Sequence, residues 1–375
     1  MERRLRVGVI FGGRSGEHEV SLWSAESVLS ALDPARYEVV PIGIRPDGQW
    51  VLGTTPERML AGATAAGEQA VTLPADPRVR TVVPLGSRAA AIRSPEMGEP
   101  FDVIFPVMHG TYGEDGSIQG LLELAGVAYV GSGVMASAVG MDKAVMKAVF
   151  AQRGLPIVPY LAARRVDWED DRHSLQARAE AALGYPMFVK PANLGSSVGI
   201  SKVHDASEFV PAVEDAFRYD TKIVIEQGIS AREVEVAVLG NERPRASVPG
   251  EVVPHREFYD YAAKYLPDGS DLIIPAPLPE EQAAELRRLA VEAFLAVDAA
   301  GMARVDFFVE KDTGRVFLNE INTIPGFTRT SMYPKLWEAS GLRYSELLDE
   351  LIRLALERHA TRQGLVRSYT PGEEA

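Results

Sequence analysis

The chain contains 375 residues, of which 46% are hydrophobic, and this length predicts two or three domains rather than one core. Its formal net charge of -13 disfavours nucleic acid as a partner, because proteins that bind nucleic acid carry a basic surface. The absence of cysteine excludes disulfides, thiolate catalysis and zinc held by cysteine. The apolar run at 7–11 is too short for a signal peptide, and no later run approaches the ~20 residues of a membrane span, so we expect a soluble, cytoplasmic protein without a membrane partner.

A short apolar strand is predicted at 5–11, followed by a double-glycine turn and a helix. Glu17 lies after this turn, where the free N–H groups of a helix N-terminus can hold a polar ligand. An acidic residue at a helix start also complements the helix dipole, so Glu17 has a structural explanation as well. The turn does not match the GxGxxG dinucleotide-binding fingerprint.

Two further strands, predicted at 37–44 and 101–108, extend the same open α/β sheet, and the segment 45–100 is interpreted as an insertion of short strands and loops. His109 follows the second of these strands, at the edge where α/β sheets bind ligands. A loop or helix-capping role would explain His109 equally well. A helix at 116–127 and a short strand at 129–130 complete this first region.

A second region opens with a helix predicted over 134–153, which carries Lys143 and Lys147 one turn apart and stops at Gly154. Lysines at this spacing usually form a solvated face of a helix. The other elements predicted here are a coil and a helix through 167–183, a helix at 205–216 and strands at 186–191 and 223–228.

A loop rich in glycine and serine, residues 192–201, follows Lys190 and lies between two predicted strands. Backbone N–H groups and hydroxyls in such a loop can cover phosphates, with a lysine as a point charge. A hairpin turn of the same composition needs no ligand, so both interpretations stay open. Further along the chain, Glu226 and Glu233 bracket a hinge-like segment.

The third region contains a hairpin that gathers polar residues. Arg304 and Asp306 lie at the start of one apolar strand, and Glu320 and Asn322 lie at the end of the next. Turn residues at 311–314 join the two strands, so the four polar side chains return to the same end of a sheet. Two carboxylates and a carboxamide suit Mg²⁺ that is shared with nucleotide phosphates, which indicates an ATP site. A hairpin with satisfied edge charges is the alternative.

The polar and aromatic segment at 257–271 is interpreted as a lid over a site, with a core patch as the alternative. The remaining predictions are a strand at 234–239, a helix at 280–300 that ends at Gly301, a helix at 345–359 and a polar tail.

Six motifs in this order resemble those of the D-alanine:D-alanine ligase family, which belongs to the ATP-grasp superfamily. They are GGRSGEHEVS at 12–21, GSGVMASAVGMDK at 131–143, VKPANLGSSVG at 189–199, YDYAAKY at 259–265, ARVDFF at 303–308 and NEINTIPGFTRTSM at 319–332. The resemblance runs from the first strand to about residue 350. It implies an α/β and α+β fold with a three-domain ATP-grasp architecture, in which an N-terminal open parallel-sheet domain at 1–132 holds substrate and subdomains at 133–229 and 230–375 clamp ATP.

The resemblance also implies a role for each matched residue. The metal ligands for two Mg²⁺ or Mn²⁺ ions would be Asp306, Glu320 and Asn322, with Glu320 bridging. The nucleotide-binding residues would be Lys143, Lys190, Ser197, Glu226, Ile229, Glu233 and Lys264. The residues that bind the two D-alanine substrates would be His109, Ser331 and Met332. The catalytic residues would be Glu17, Ser196, Tyr265, Arg304 and Gly326.

The implied reaction makes D-alanyl-D-alanine from two D-alanines and ATP for peptidoglycan synthesis and the cell wall. The first carboxylate would attack the γ-phosphate, and the second amine would then attack the acyl phosphate, with Arg304 and the Gly326 N–H stabilising the oxyanion. A homodimer through the N-terminal domain is common in the family. A D-alanine:D-lactate or D-alanine:D-serine ligase is the first alternative, and Tyr265 in the lid disfavours it. An inactive nucleotide-binding regulator is the second, and the intact Arg304 disfavours it.

Overall fold

The computed structural model describes residues 3–63, 67–85, 98–255 and 269–366, and the strands in these residues form three sheets. Most of the predicted lid at 257–271 lies outside the described residues, and Lys264 and Tyr265 lie outside them too. Within the part of the chain that is described, no helix is long and apolar enough to cross a membrane.

The first sheet contains seven strands: β1 (Leu5–Gly12), β2 (Tyr37–Ile44), β3 (Trp50–Leu52), β4 (Gln69–Thr72), β5 (Val83–Pro84), β6 (Val103–Val107) and β7 (Ala128–Tyr129). The central strand β1 pairs in parallel with β2 and β6, as predicted for an open α/β sheet. Strands β3 to β5 come from the segment at 45–100 and extend this sheet in antiparallel fashion. The helices of this region are α1 (His18–Ala31), α2 (Pro56–Leu60) and α3 (Ser117–Leu124).

The second sheet contains four strands: β8 (Tyr160–Arg164), β9 (Met187–Pro191), β10 (Ser201–Val203) and β11 (Lys222–Gln227). All its pairs are antiparallel, in the order β10-β9-β11-β8. The predicted loop rich in glycine and serine therefore joins two adjacent strands, β9 and β10. The helices of this region are α4 (Val134–Met141), α5 (Lys143–Gln152), α6 (Arg165–Asp170), α7 (Arg172–Leu183) and α8 (Ala206–Ala216).

The third sheet contains six strands: β12 (Ala231–Gly240), β13 (Arg245–Ala246), β14 (Gly250–Pro254), β15 (Ser270–Ile273), β16 (Gly301–Glu310) and β17 (Val316–Asn322). Its main path is β15-β14-β12-β16-β17, and β16 and β17 form the predicted hairpin. The helices of this region are α9 (Glu280–Ala296), α10 (Met332–Ala339) and α11 (Tyr344–Gln363).

One apolar core joins the first and third sheets. It contains Val7 and Phe105 of the first sheet, Leu239 of the third sheet and Leu351 of helix α11, all buried. Burial of this apolar surface stabilises the association, because each fully buried large aliphatic or aromatic side chain contributes roughly 1.5–3 kcal/mol. The two regions therefore pack together through α11.

The chain forms two helices where one was predicted over 134–153, and the break between them determines the position of Lys143. Asp142 has an extended backbone, and its carboxylate accepts hydrogen bonds from the N–H groups of Ala144 and Val145, each at 3.1 Å. This N-cap competes with a continuous helix, because an aspartate side chain satisfies the free N–H groups of a new helix start. Lys143 thus begins α5, and its own N–H donates to the Ala192 carbonyl at 2.9 Å.

Two other predicted segments differ from the structure. The coil and helix predicted through 167–183 are two helices, α6 and α7, because Asp171 starts a new helix by accepting from the Ser174 N–H at 2.9 Å. The helix predicted at 280–300 ends at Ala296, where the chain turns through Asp298 with a φ of 60°. Gly301 begins β16 instead of ending the helix. Helix α10 has no counterpart among the predicted elements.

Replacing Asp142 by alanine is expected to lower the free energy of unfolding by about 1–2 kcal/mol, because α5 loses its N-cap and Lys222 loses its ion-pair partner. Asp142→Asn keeps a capping acceptor and removes only the charge, so it should retain most of the stability. Urea unfolding of both variants and the wild type measures the difference. Unchanged stability of Asp142→Ala would show that some other contact breaks the helix.

Candidate active site

The hairpin of β16 and β17 gathers the four polar residues that the sequence singled out. In the antiparallel register, Arg304 is opposite Asn322 and Asp306 is opposite Glu320, which confirms the predicted arrangement. The Arg304 guanidinium donates from Nε and Nη2 to the two oxygens of Asp306, each at 2.7 Å. Asn322 Nδ2 also donates to Asp306 Oδ2, at 3.0 Å.

The donor types in this cluster fit a hard divalent cation. Asp306 and Glu320 offer carboxylate oxygens and Asn322 offers a carboxamide oxygen, which are ligands that Mg²⁺ prefers. A carboxylate has about four acceptor positions, so the hydrogen bonds from Arg304 and Asn322 leave acceptor capacity on Asp306. Among the described residues, no group of three or more His, Cys, Asp or Glu side chains is placed to hold a metal by itself. A metal bound here would therefore rely on the Asn322 oxygen and on oxygens of its substrate.

Glu235 is a member of this cluster that sequence reasoning missed. It lies opposite Asp306 on β12, and its Oε2 is 2.9 Å from Arg304 Nε. Its side chain is buried, so the guanidinium of Arg304 is held between two carboxylates. The sequence does contain a signal for Glu235, since it lies between the apolar residues Val234 and Val236 of a predicted strand. Burying a carboxylate there without a partner would cost free energy, so the pattern indicates a buried cation beside it.

The lysines of helix α5 point inward, so the solvated face that is usual for lysines at this spacing does not form here. Lys147 is 1% exposed and its Nζ lies 3.0 Å from Glu226 Oε1, while Lys190 Nζ donates to Glu226 Oε2 at 2.6 Å. Burial by itself would raise the pKa of Glu226, but the ammonium groups of Lys147 and Lys190 outweigh it and lower the pKa to about 2. Glu226 is therefore an anion between two cations.

Lys143 connects the helix to both the loop and the hairpin. Its Nζ donates to the Leu194 carbonyl at 2.9 Å and lies 3.4 Å from Glu320 Oε2. Lys143 is 8% exposed, so this ammonium is also buried rather than solvated. It thus places a positive charge where the loop meets the carboxylate of Glu320.

The loop after β9 reaches the start of helix α1. Ser196 Oγ donates to the buried Glu17 carboxylate, so two residues that the resemblance assigns to catalysis are in contact. Ser196 and Ser197 both have left-handed backbones, with φ of 50° and 57°. A Cβ at Gly195 would lie 2.9 Å from Glu17 Oε2, so a larger residue there would displace the Glu17 carboxylate.

Two cavities collect the predicted site residues that the structure describes. A cavity of about 640 Å³ is lined by Lys143, Lys190, Ser197, Glu226, Ile229, Glu233, Asp306 and Glu320. A second cavity of about 430 Å³ is lined by Glu17, His109, Ser196, Arg304, Glu320, Asn322, Gly326, Ser331 and Met332. Lys143, Ser197 and Glu320 line both, so the two cavities meet at these side chains. The larger cavity has the size of a small-molecule site, which is typically 300–1,000 Å³.

Glu114 is a second residue of the smaller cavity that sequence reasoning missed. Its carboxylate accepts hydrogen bonds from the N–H groups of Gly110 at 2.9 Å and Ile324 at 3.0 Å. Burial, together with the nearby Glu17 carboxylate, raises the pKa of Glu114 to about 8. Burial also lowers the pKa of His109. The sequence contains one signal for Glu114, which is the GEDG segment at 113–116 after the predicted strand. Acidic residues in such a segment could equally be solvated.

Family models match almost the whole described chain. A model described as "D-ala D-ala ligase N-terminus" matches residues 6–132, and one described as "D-ala D-ala ligase C-terminus" matches residues 149–353. The chain belongs to the D-alanine–D-alanine ligase family. The resemblance inferred from six motifs is thereby confirmed.

Two members of this ligase family are similar to this chain over nearly the full length of both proteins. The D-alanine–D-alanine ligase of Natranaerobius thermophilus is 50% identical over 357 residues, which cover 95% of this chain and 96% of the relative. That of Heliobacterium modesticaldum is 52% identical over 358 residues, with 95% and 96% covered. The similarity to these two relatives therefore extends over nearly all of the chain.

Solved structures of ligases have the same fold. The D-alanine–D-alanine ligase from Coxiella burnetii matches with a TM-score of 0.81 and 38% identity, covering 96% of this chain and 97% of that chain. The VanG D-Ala:D-Ser ligase from Enterococcus faecalis matches with a TM-score of 0.83 and 34% identity, covering 94% and 100%. The fold predicted from the family resemblance is therefore confirmed.

Replacing Glu226 by glutamine is expected to destabilise the chain at pH 7 by about 3 kcal/mol or more, because two buried ammonium groups lose their counter-charge. The pKa of Glu226 is about 2 in the folded state and 4.5 as its ordinary value, so the unfolded state binds the proton more tightly. The wild type should therefore exceed Glu226→Gln in free energy of unfolding by the full amount above pH 4.5, and this difference should shrink as the pH falls towards 2.

Urea unfolding at a series of pH values measures this gap. Glu214→Gln is the matched control, because Glu214 pairs with Arg172 at the surface and an exposed pair contributes little. A stability difference between wild type and Glu226→Gln that does not change with pH would mean that the pKa of Glu226 is not lowered in the folded protein.

Proposed function

We propose that this chain is an ATP-dependent ligase that joins two D-alanines into D-alanyl-D-alanine through a D-alanyl phosphate, for peptidoglycan precursor synthesis. The observation that carries the proposal is the meeting of the two cavities at Lys143, Ser197 and Glu320. A terminal phosphate at that junction would face the cavity that contains Glu17 and Arg304. Membership of the ligase family and relatives about 50% identical to this chain support the same activity.

We assign the larger cavity to the nucleotide. Lys143 and Lys190 would neutralise phosphate oxygens, and Ser197 would add a hydroxyl and a backbone N–H. Glu226, Ile229 and Glu233 line the same cavity and would contact the adenine and ribose. Because phosphoryl transfer depends on positioning and charge neutralisation, buried lysines at the phosphate end fit this chemistry.

We assign Asp306, Glu320 and Asn322 to two divalent cations, Mg²⁺ or Mn²⁺. When bound, these ions would neutralise the charge that builds up on the transferred phosphate. Glu320 lines both cavities, so a bridging role is consistent with its place. Lys143 supplies the positive charge beside Glu320 in the protein itself.

We assign the smaller cavity to the two D-alanines. The Glu17 carboxylate, held by the Ser196 hydroxyl, would accept the ammonium of the first D-alanine, with His109 beside it. Ser331 is the N-cap residue of α10 and Met332 is its first residue. The free N–H groups at this helix start favour a carboxylate, so they would bind that of the second D-alanine.

The chemistry has two steps with different demands. In the first step, the carboxylate of one D-alanine attacks the γ-phosphorus and ADP leaves. In the second step, the amine of the other D-alanine attacks the acyl carbon and phosphate leaves, passing through a tetrahedral oxyanion. Arg304 and Gly326 line the cavity where this oxyanion would form. We assign the Arg304 guanidinium and the Gly326 N–H as its donors, because donors placed in advance lower the energy of an oxyanion.

Three finer assignments complete the proposal. We propose domains at 1–132, 133–229 and 230–375, and each of the three sheets lies within one of these ranges. We also propose that Lys264 and Tyr265, which lie outside the described residues, close the site as part of a lid at 257–271. The homodimer stays a prediction from the family resemblance.

Incubation with ATP, Mg²⁺ and D-alanine should release phosphate and D-alanyl-D-alanine in equal amounts. D-Serine and D-lactate are added as competing acceptors, since a structurally similar protein is a D-Ala:D-Ser ligase. We expect D-alanine to be the preferred acceptor near neutral pH. A product that is mainly D-alanyl-D-serine or D-alanyl-D-lactate would contradict the acceptor assignment and leave the nucleotide assignment intact.

In the same assay, Glu320→Gln should reduce turnover by roughly a thousandfold or more, because a carboxylate is lost where phosphate charge develops. Glu310→Gln is the matched control, since Glu310 lies at the far end of the same hairpin and pairs with Arg315. A folded Glu320→Gln variant with near-normal activity would remove Glu320 from the mechanism.

Arg304→Lys keeps a positive charge and loses the planar guanidinium, so dipeptide synthesis should fall by roughly a hundredfold. The acyl phosphate, trapped with hydroxylamine as D-alanyl hydroxamate, should form at a rate much closer to that of the wild type. Arg315→Lys, an exposed position on the same hairpin, is the control. Equal loss in both steps would assign Arg304 to phosphate binding instead.

A further inference from the structure

The loop at 323–327 contains Gly326 and is bound to the N-terminal region through both sides of Ile324. The Ile324 N–H donates to Glu114 Oε1 at 3.0 Å, and the Ile324 carbonyl lies 3.0 Å from His109 Nδ1. Glu114 and His109 follow strand β6 of the first sheet, whereas Ile324 follows strand β17 of the third. Two separate regions of the chain are thus joined at one residue beside the proposed oxyanion donor.

A third contact holds the other end of this loop. The Phe327 N–H donates to Ser24 Oγ at 3.2 Å, and the same Oγ lies 3.0 Å from His109 Nε2. Ser24 belongs to helix α1 and is fully buried. Gly326 therefore lies between two residues whose backbone groups are both held by N-terminal side chains.

The hydrogen bonds define the tautomer of His109. A carbonyl oxygen only accepts, so Nδ1 must carry the proton that is donated to Ile324. Ser24 Oγ accepts from Phe327 and can donate its own hydrogen to Nε2 of His109, which then acts as the acceptor. His109 is then neutral with both ring nitrogens in use, and the low pKa that burial imposes on it agrees. A histidine engaged at both nitrogens is placed for positioning rather than for proton transfer.

The surroundings of the loop keep water away from these bonds. Ile324 and Phe327 are 3% and 1% exposed. The Phe327 ring packs against Tyr333 and Tyr344, with centroid distances of 5.5 and 6.2 Å, and Tyr344 Oη donates to the Phe327 carbonyl at 2.6 Å. Hydrogen bonds in such a buried site are costly to lose, because the orphaned partner has no water to replace it.

We infer that Ser24, His109 and Glu114, here named the loop clamp, are positioning residues that hold the Gly326 N–H in place for the amide-forming step. This inference rests on the proposed function, because it assigns the Gly326 N–H to the oxyanion of the second step. The loop clamp acts through the backbone of 323–327, by holding the groups on either side of Gly326. The first sheet thus contributes to the second step as well as to substrate binding.

A loosened loop should affect the two steps unequally. Ser24→Ala removes the acceptor of Phe327 and the donor to His109, so dipeptide synthesis should fall by about tenfold or more. Trapping of the acyl phosphate as D-alanyl hydroxamate should stay within about threefold of wild type, since phosphoryl transfer does not use this donor. Ser24→Thr keeps the hydroxyl and should restore most of the dipeptide synthesis.

Ser27→Ala is the matched control, because Ser27 lies one turn further along α1 and donates only to the Trp23 carbonyl. Glu114→Ala and Glu114→Gln form an independent pair, since the glutamine retains an acceptor for the Ile324 N–H and the alanine has none. Glu114→Ala should reproduce the selective loss, and Glu114→Gln should be milder. Equal loss of hydroxamate and dipeptide in both alanine variants would overturn the inference.

Hydrogen exchange of the ligand-free protein tests the loop clamp without any turnover. Peptides that cover 319–332 should exchange faster in Ser24→Ala and Glu114→Ala than in the wild type and in Ser27→Ala. Unchanged exchange in both variants would overturn the inference. If the wild type makes no hydroxamate, the proposed function fails, and faster exchange in these variants would still support the loop clamp as a holder of the loop.

Discussion

The rest of the site depends on a row of three carboxylates that lie side by side on adjacent strands. Glu235 on β12 is opposite Asp306 on β16, and Asp306 is opposite Glu320 on β17. Directly paired residues of like charge repel, so this row is stable only with cations beside it. Arg304 lies between Glu235 and Asp306, and Lys143 lies beside Glu320.

The position of Lys143 depends in turn on a local feature of the chain. Asp142 breaks the helix and caps α5, which puts Lys143 at a helix start against the loop after β9. One turn later, Lys147 is directed at Glu226 from the same helix. The chain has a formal net charge of -13, so it is these buried cations that make its cavity suitable for a phosphate-bearing ligand.

The site is also built on an interface between the first and third sheets. Helix α11 contributes to the apolar core that joins them, and Tyr344 at its start holds the Phe327 carbonyl. The polar contacts of Glu114, His109 and Ser24 lie next to this core. Because apolar packing fixes the two sheets relative to each other, these few hydrogen bonds can place a backbone N–H accurately.

Features that depend on neighbours along the chain could be predicted from the sequence alone. Apolar runs of period two and turn residues predicted the hairpin of β16 and β17, and the motifs predicted the residues that line both cavities. Which charges are buried together could not be predicted, because helical spacing does not reveal which face another element covers. Lys147 therefore received no site role from its spacing, and Glu235, Glu114 and Ser24 were missed, since each acquires its role from a partner distant in the chain.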